Sequence, residues 1–335
     1  MAGYLVRRIL ALVPVLIGIT LMMFVLSRVV PVDPARLYAG DAAPEEVVQA
    51  LRAKMGLDKP LWQQYLLYVE GLLRGDLGTS LQTGRPVAAE IARYFPATVE
   101  LATVAGFLTI VLGIPAGVIS AVKRDSVFDH VTRVLALGGV CTPIFWLGLL
   151  LILVFYGKLG VFPAWGRLDL AVSPPRHLTG LYLVDSVLTG RFDAFVNASW
   201  HLLLPGFALA YGGAGQILRL ARSSMLEVLG EDYVRTARAK GLSERFVIYR
   251  HALRNALLPT LTMLGIIYGS LLGGAVLTET IFSWPGLGRY AVGAMVAFDF
   301  PAMMGFALVA ALAYSLVNVL VDLLYSVCDP RISYR

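Results

Sequence analysis

The chain has 335 residues, of which 58% are hydrophobic and 15% charged, a balance too apolar for a globular domain in water. Its formal net charge of +6 does not point to nucleic acid, because the Lys and Arg residues lie between hydrophobic stretches, where a membrane protein collects them on its cytoplasmic side. Two cysteines, Cys141 and Cys328, and four scattered histidines, His130, His177, His201 and His251, show neither redox nor metal-ligand spacing.

A helix crosses the bilayer core with about 20 apolar residues. Six segments qualify: Ile9–Val30, Ala97–Val122, Val134–Tyr156, Leu202–Leu218, Leu257–Phe282 and Ala302–Val327. The expected fold class is therefore an all-α membrane protein with six transmembrane helices. The first segment follows Arg7 and Arg8 as a signal peptide would, but it is longer than a signal core and ends in Arg28-Val29-Val30-Pro31 without a small-residue cleavage site. It is expected to stay as a span.

Basic residues set the orientation. Arg7 and Arg8, then Lys123, Arg124 and Arg133, then the segment from Arg222 to Arg254, then Arg331 and Arg335 fall on one face if six spans alternate. Both termini are expected in the cytoplasm of a bacterial or archaeal cell, with the chain passing repeatedly through its cytoplasmic (inner) membrane. The expected division is residues 1–96 for the first helix and a long external loop, 97–327 for the transmembrane domain, and 328–335 for a cytoplasmic tail.

The external loop Pro31–Pro96 carries its own helix signals. Pro44, Glu45 and Glu46 suit a helix start, Val47, Leu51 and Met55 recur on one face, and Gly56 stops the pattern. A second helix is expected from Pro60, with Leu61, Tyr65, Tyr68 and Leu72 on one face, followed by turn-like Gly75–Ser80. Either a cap on the bundle or a surface for an external partner fits this loop. The second external loop, Gly157–His201, has a turn at Thr189–Asp193 and no catalytic arrangement.

Small residues recur every fourth position at Gly265, Gly269 and Gly273 and at Gly113 and Gly117, the spacing that lets helices approach closely. The first stripe suits helix packing, or else a partner permease or a substrate passage. Charge is sparse in the spans: Glu100 and Glu279 lie near outer ends, and Asp322, with Asn318 one turn before it, lies near the inner end of the last. A mid-membrane charge costs about 2.5–3.5 kcal/mol on insertion scales, so an ion-coupled carrier would advertise its site, and Asp322 is placed too near the interface to do so. No Gly-x-x-x-x-Gly-Lys-Ser/Thr run occurs, so any ATP would be bound by another subunit.

The cytoplasmic stretch between the fourth and fifth segments is the most informative. Glu231 and Asp232 suit a helix start, Gly241 after Lys240 suits its end, and Ser243 suits the cap of a second helix, with Pro259 at the head of the fifth span. Val234, Ala237, Phe246 and Ile248 give this bracket an apolar side, unlike a plain basic loop lying on lipid headgroups. A helix–glycine–helix bracket can fill a cleft on a soluble partner.

These residues resemble the permease subunits of ATP-binding-cassette importers. In that family's signature, Arg235-Thr236-Ala237 takes the place of Glu-Ala-Ala and Gly241 that of the glycine, while His251 and Arg254 depart from the Ile and Pro and Leu253 matches the Leu. The departures are those of the dipeptide, oligopeptide and nickel subgroup, whose pattern is met at Asp232–Leu242 and His251–Pro259; the B-type subunit of its paired permeases is the nearest likeness. Tyr4–Ile9, Arg74–Ser80, Glu279–Gly288 and Asp329–Arg331 are similar to the subgroup as well.

The resemblance implies the type-1 permease fold with a long external loop after the first helix. It implies a passage shared with a second homologous permease, an external substrate-binding protein, and two cytoplasmic ATPase subunits that hold the ATP and Mg; this chain itself holds no cofactor and no metal, and is a transport subunit, not an enzyme. The coupling residues would be Asp232, Tyr233, Arg235, Thr236, Ala237, Arg238, Lys240, Gly241, Leu242, Ser243 and Glu244, within a coupling loop of residues 231–259. The outer mouth would include Glu279, Thr280, Phe282, Ser283, Trp284 and Pro285. Membrane lipid surrounds the rest. Dipeptides or oligopeptides are the expected cargo, with nickel complexes or glutathione as the alternative; a stand-alone secondary transporter or a membrane enzyme lacks its expected residues.

Overall fold

A computed structural model describes residues 10–29, 33–40, 42–273 and 275–328, the side chains of 322 and 324–328 aside. Arg7, Arg8, Arg331, Arg335, the runs Tyr4–Ile9 and Asp329–Arg331, and the side chain of Asp322 lie outside the described residues.

In chain order the helices are α1 (Leu12–Val29), α2 (Pro34–Ala39), α3 (Glu45–Lys54), α4 (Leu61–Leu73), α5 (Val87–Val122), α6 (Val127–Cys141) and α7 (Ile144–Leu151), which runs on through a π turn at Ile152–Lys158. Then come α8 (Tyr182–Leu188), α9 (Phe192–Leu229), α10 (Asp232–Ala239), α11 (Glu244–Leu272), α12 (Val276–Ile281), α13 (Leu287–Val296) and α14 (Phe300–Cys328). The chain is helical almost throughout; an isolated bridge between Thr79 and Pro86 is the extended pairing among the described residues.

Among the described residues, four helices are long and apolar enough to cross a membrane: α1, α5, α11 and α14, the last over Phe300–Val321. A fifth span results if α6 and α7, bent by 107° at Thr142-Pro143, count as one. Six were expected, and the difference lies in α9. That helix is 38 residues long, so it has the length. Its middle is rich in small and polar residues, which pack on neighbouring helices where a lipid-facing helix would carry bulky apolar ones. A Cβ on Gly215 would meet the carbonyl oxygen of Ala136 at 2.5 Å, and Gly139 of α6 sits as tightly on Tyr211 of α9.

The stripe on α5 serves the same packing. A Cβ on Gly113 would meet the Ile217 side chain at 2.8 Å, and one on Gly117 the Leu218 carbonyl at 2.7 Å. On α11, Gly265 and Gly269 face Val321 and Tyr314 of α14. Gly273 meets no other helix and caps the end of α11. The expected fifth span therefore stops at Leu272, and residues 276–281 form the separate helix α12. Prolines 96 and 115 in α5, 205 in α9 and 259 in α11 lie inside continuous helices, where neighbouring helices can accommodate the lost hydrogen bonds.

α5 has 36 residues, about 54 Å at 1.5 Å per residue, and so separates two ends of the molecule. Near its start Val87 and Ile91 pack with Leu287, Ala294 and Ala302; near its finish Val118 and Ala121 pack with Val234, Ala237, Val247 and Ile248. In the segment after α1, α3 and α4 begin after Pro44 and Pro60 as expected, and Gly56 takes φ +67°. The buried face of α3 is that of Val48, with Val47 exposed, and α4 buries Gln64 while Leu61 is exposed. The turn at 75–86 is tied to the start of α14 by buried Asp299, whose carboxylate accepts from Ser80 Oγ at 2.5 Å and the Gln82 amide at 3.2 Å.

Candidate functional site: the α10–α11 bracket and the α12 brace

The bracket is built from an amphipathic turn. In α10, Val234 and Ala237 are one turn apart and buried, while Asp232, Tyr233, Arg235, Thr236, Arg238 and Lys240 point outward. Full burial of a Val side chain is worth about 1.5–3 kcal/mol, enough to pin so short a helix to α5 and α9. Gly241 then takes φ +75°, a left-handed conformation natural to glycine after a helix, and turns the chain toward α11. Arg238 donates to Glu244 at 2.7 and 3.1 Å across that turn, closing the bracket. The Arg238 guanidinium thereby holds the Glu244 carboxyl below its ordinary range.

Asp232, Tyr233, Arg235 and Thr236 are held locally. Arg235 pairs with Asp232, the Thr236 hydroxyl donates to the Asp232 carbonyl at 2.9 Å, and Asn255 Nδ2 donates to the Tyr233 hydroxyl at 2.7 Å. Ser243 occupies the N-cap position of α11 by its backbone, its carbonyl accepting from Val247 N–H at 3.0 Å, but its side chain makes no cap hydrogen bond. The expected second helix is not separate: it is the first part of α11, continuous through a π turn at Val247–Ala252 into the crossing helix, with Pro259 inside. Leu242, Phe246 (47% exposed) and Tyr249 (62% exposed) give the outward surface an apolar and aromatic component. Phe246, expected on the apolar side of the bracket with Val234, Ala237 and Ile248, instead faces outward, and Tyr249, three residues on along the same helix, joins it there.

Arg222 corrects the sequence reading. It belongs to α9, and its Nε and Nη2 each donate to Asp129 of α6 at 2.7 Å. Asp129 is fully buried and also accepts from the Ser120 hydroxyl and the Asp125 amide. Arg222 thus fastens α9 to α6 underneath the bracket and is no part of a basic docking loop.

At the other end of α5, the run Glu279–Pro285 is mostly internal. Glu279 is fully buried; its carboxylate accepts from the Thr98 hydroxyl at 2.7 Å and the Arg289 amide at 3.0 Å. Phe282 and Trp284 are buried, Trp284 Nε1 donates to the Ala97 carbonyl at 2.8 Å, Pro285 is half-buried, and Thr280 is exposed. Ser283, at φ +47°, accepts from Arg289 through its carbonyl. Beside this brace, Arg167 donates to Glu100 at 2.7 Å and to the Gly180 carbonyl at 2.9 Å, with its guanidinium 3.5 Å from the centre of the Tyr182 ring. Glu100 also accepts from the Leu183 amide, so it locks the segment after α7 onto α5. Close by, Asp185 is pushed up by burial, but donors from Thr179, Leu178 and Gly180 outweigh that and hold its carboxyl below the ordinary range.

Among the described residues no three His, Cys, Asp or Glu side chains converge as metal ligands. What the geometry offers is an outward bracket wired into a crossing helix at one end and a buried polar brace at the other.

Known proteins resemble this chain in sequence and in fold. Residues 113–334 match the family described as binding-protein-dependent transport system inner membrane component, and residues 1–102 match the N-terminal family of the same systems. The chain is 51% identical over 326 residues, 97% of its length and 96% of the relative's, to the probable D,D-dipeptide transport system permease protein DdpB of Escherichia coli K12. It is 46% identical to the dipeptide transport system permease protein DppB of the same organism, with both chains fully covered. A glutathione transport system permease protein, GsiC of Escherichia coli O6:H1, is 37% identical with both chains fully covered. In fold it is similar to inward-facing structures of the MetNI methionine ABC transporter, with a TM-score of 0.53 at 17% identity, covering 72% of this chain and 96% of that one.

Proposed function

The chain belongs to the family of binding-protein-dependent transport system inner membrane components, and from that premise we propose that it is one of two homologous permeases of a dipeptide importer, driven by ATPases docked on α10 and α11. It is an integral inner membrane protein and a transport subunit of the ABC importer class, whose members work with ATPase and substrate-binding components. Relatives at 46–51% identity are named for dipeptides or di- and tripeptides and a glutathione permease stands at 37%, which favours short peptides over glutathione.

One observation carries the coupling role. The exposed bracket is continuous with a crossing helix: α10 is pinned by Val234 and Ala237, and α11 extends from Glu244 to Leu272. A push on Phe246 is therefore delivered along α11 itself, and one on Tyr233, Arg235 or Leu242 reaches α11 through the short Gly241 turn, the Arg238–Glu244 pair and the Tyr233–Asn255 hydrogen bond. In this reading the bracket and both termini are cytoplasmic, a binding protein engages the opposite face near α12, and each permease carries one ATPase, two in all.

Reconstituting the chain with its paired permease, ATPases and binding protein in proteoliposomes tests this. Labelled dipeptide should enter only with ATP, with glutathione a weak competitor. Deleting Arg238–Glu244 should leave membrane insertion intact and abolish both ATPase capture and uptake. Normal uptake by the deletion, or ion-driven uptake by the chain without ATPases, would overturn the reading.

A further inference from the structure

A cavity of about 390 Å³ opens between α6 and α9 at the bracket end of the bundle, lined by His130, Arg133, Val134, Leu137, Arg219 and Arg222. Two periodicities build it. Residues 130, 133, 134 and 137 share one face of α6, and residues 219 and 222 are one turn apart on α9.

Its charge is uncompensated. Arg222 is matched by Asp129, which is buried and fully engaged. The other nearby acid, Asp125, pairs with Arg124 at 3.3 Å. Arg133 and Arg219 are exposed and, among the described residues, have no hydrogen-bonding or ionic partner; His130 is exposed and likewise unpartnered. Two guanidinium forks therefore meet at one opening with no carboxylate between them, a geometry suited to a phosphodiester.

The remaining lining is apolar. Val134 is 70% exposed, Leu137 is exposed as well, and they continue a stripe with exposed Val127, Val131 and Leu135 along α6. In a helix that forms part of a membrane span, such a stripe lies against acyl chains. A cationic rim over an apolar floor matches an amphiphile better than an acidic protein loop, which would leave the stripe uncovered. Basic pockets between helices at the membrane surface are where anionic headgroups bind.

We propose that this cavity is a binding site for an anionic phospholipid, its phosphodiester held by Arg133 and Arg219 with His130 as an additional donor, and its chains lying on Val134, Leu137 and the α6 stripe. Because Arg222 in the same wall ties α9 to α6, an occupied site would brace the helices directly beneath the bracket. The inference requires that the chain sit in a membrane but not that the bracket bind an ATPase.

Native mass spectrometry of the assembled transporter, exchanged from detergent containing either phosphatidylglycerol or phosphatidylcholine, tests it. The natural chain should retain phosphatidylglycerol about tenfold better, each surface-facing arginine contributing as a juxtamembrane cation does. Arg133→Gln/Arg219→Gln should abolish that preference, while Arg133→Lys/Arg219→Lys should keep most of it and Arg74→Gln/Arg85→Gln, exposed near the opposite end of α5, should keep all of it. Both cavity arginines are exposed, so the variants should assemble normally, which ATPase capture checks. Equal retention of the two lipids, or an unchanged preference in the Gln variant, would overturn the proposal. So would displacement of the lipid by millimolar inorganic phosphate, which would assign the cavity to a free anion. Crosslinking of Val134→Cys to the second permease, without labelling by a photoreactive lipid, would show that protein covers it.

Discussion

The bracket and the brace, set toward opposite ends of α5, handle charge in opposite ways. At the bracket, Asp232, Arg235, Arg238 and Glu244 are exposed and pair with near neighbours in the chain. At the brace, Glu100, Glu279 and Asp299 are buried, each with hydrogen bonds from distant segments. An exposed pair is worth about 0–1 kcal/mol and can be traded for a partner's groups. A buried pair costs about 3–5 kcal/mol to break from one side, so it holds one arrangement. One end can exchange partners and the other keeps its own shape.

Breaking the brace should therefore have the largest effect. Arg167→Leu leaves Glu100 buried with the Leu183 amide as its remaining donor, and should lower stability by about 3–5 kcal/mol in a thermal unfolding measurement on the purified protein. Arg167→Leu with Glu100→Gln should recover much of that loss. Equal losses in the single and double variants would show that packing, and not the ion pair, holds the segment after α7.

Between the ends, contacts of helix on helix should behave like the buried end. Gly265→Ala places a methyl 2.3 Å from Val321 Cγ2, so α11 and α14 must part, with a loss of about 1–3 kcal/mol in the same assay. Gly241→Val, at the bracket, separates stability from function. A β-branched residue at φ +75° costs about 1–2 kcal/mol locally, although open space surrounds the position. The span helices should unfold as before while ATP-driven uptake falls more than tenfold, because the bracket would open at its turn. A fall in both readouts together would place Gly241 among the structural contacts.

What could be read from residues alone follows the range of the interaction. The bracket was legible because its signals are local: acidic residues at Glu231 and Asp232, the Lys240-Gly241 stop, and apolar Val234 and Ala237 within one turn. Hydropathy likewise found α1, α5, α11 and α14. It misplaced the end of α11, since the apolar run continues past Gly273 into α12, and it shortened α9, whose small residues are buried by neighbours and not by lipid. The partners of the buried carboxylates cannot be read from the sequence because they lie far apart in the chain, 67 residues for the Glu100–Arg167 ion pair, 93 for the Asp129–Arg222 ion pair and 219 for the Ser80–Asp299 hydrogen bond. For the same reason Arg222 reads as a loop cation until α6 supplies its carboxylate.

The smallest expected effect tests the exposed end on its own terms. The hydrogen bonds from Arg238 hold the Glu244 carboxyl below its ordinary range, so the pair's contribution is fully present above the ordinary carboxylate range and is lost only as pH falls through the lowered value. Binding of ATPase to the bracket, followed by surface plasmon resonance, should therefore be flat from neutral pH through the ordinary glutamate range and weaken only at pH below that range. Glu244→Gln should weaken binding by no more than about fivefold at neutral pH, as befits an exposed pair, and should remove the acid step. Salt should mimic the substitution, since the pair is open to solvent. A loss of a hundredfold or more would mean that Glu244 meets the partner directly in a desolvated contact, which would move the bracket's ion pair from the exchangeable class to the fixed one that the brace exemplifies.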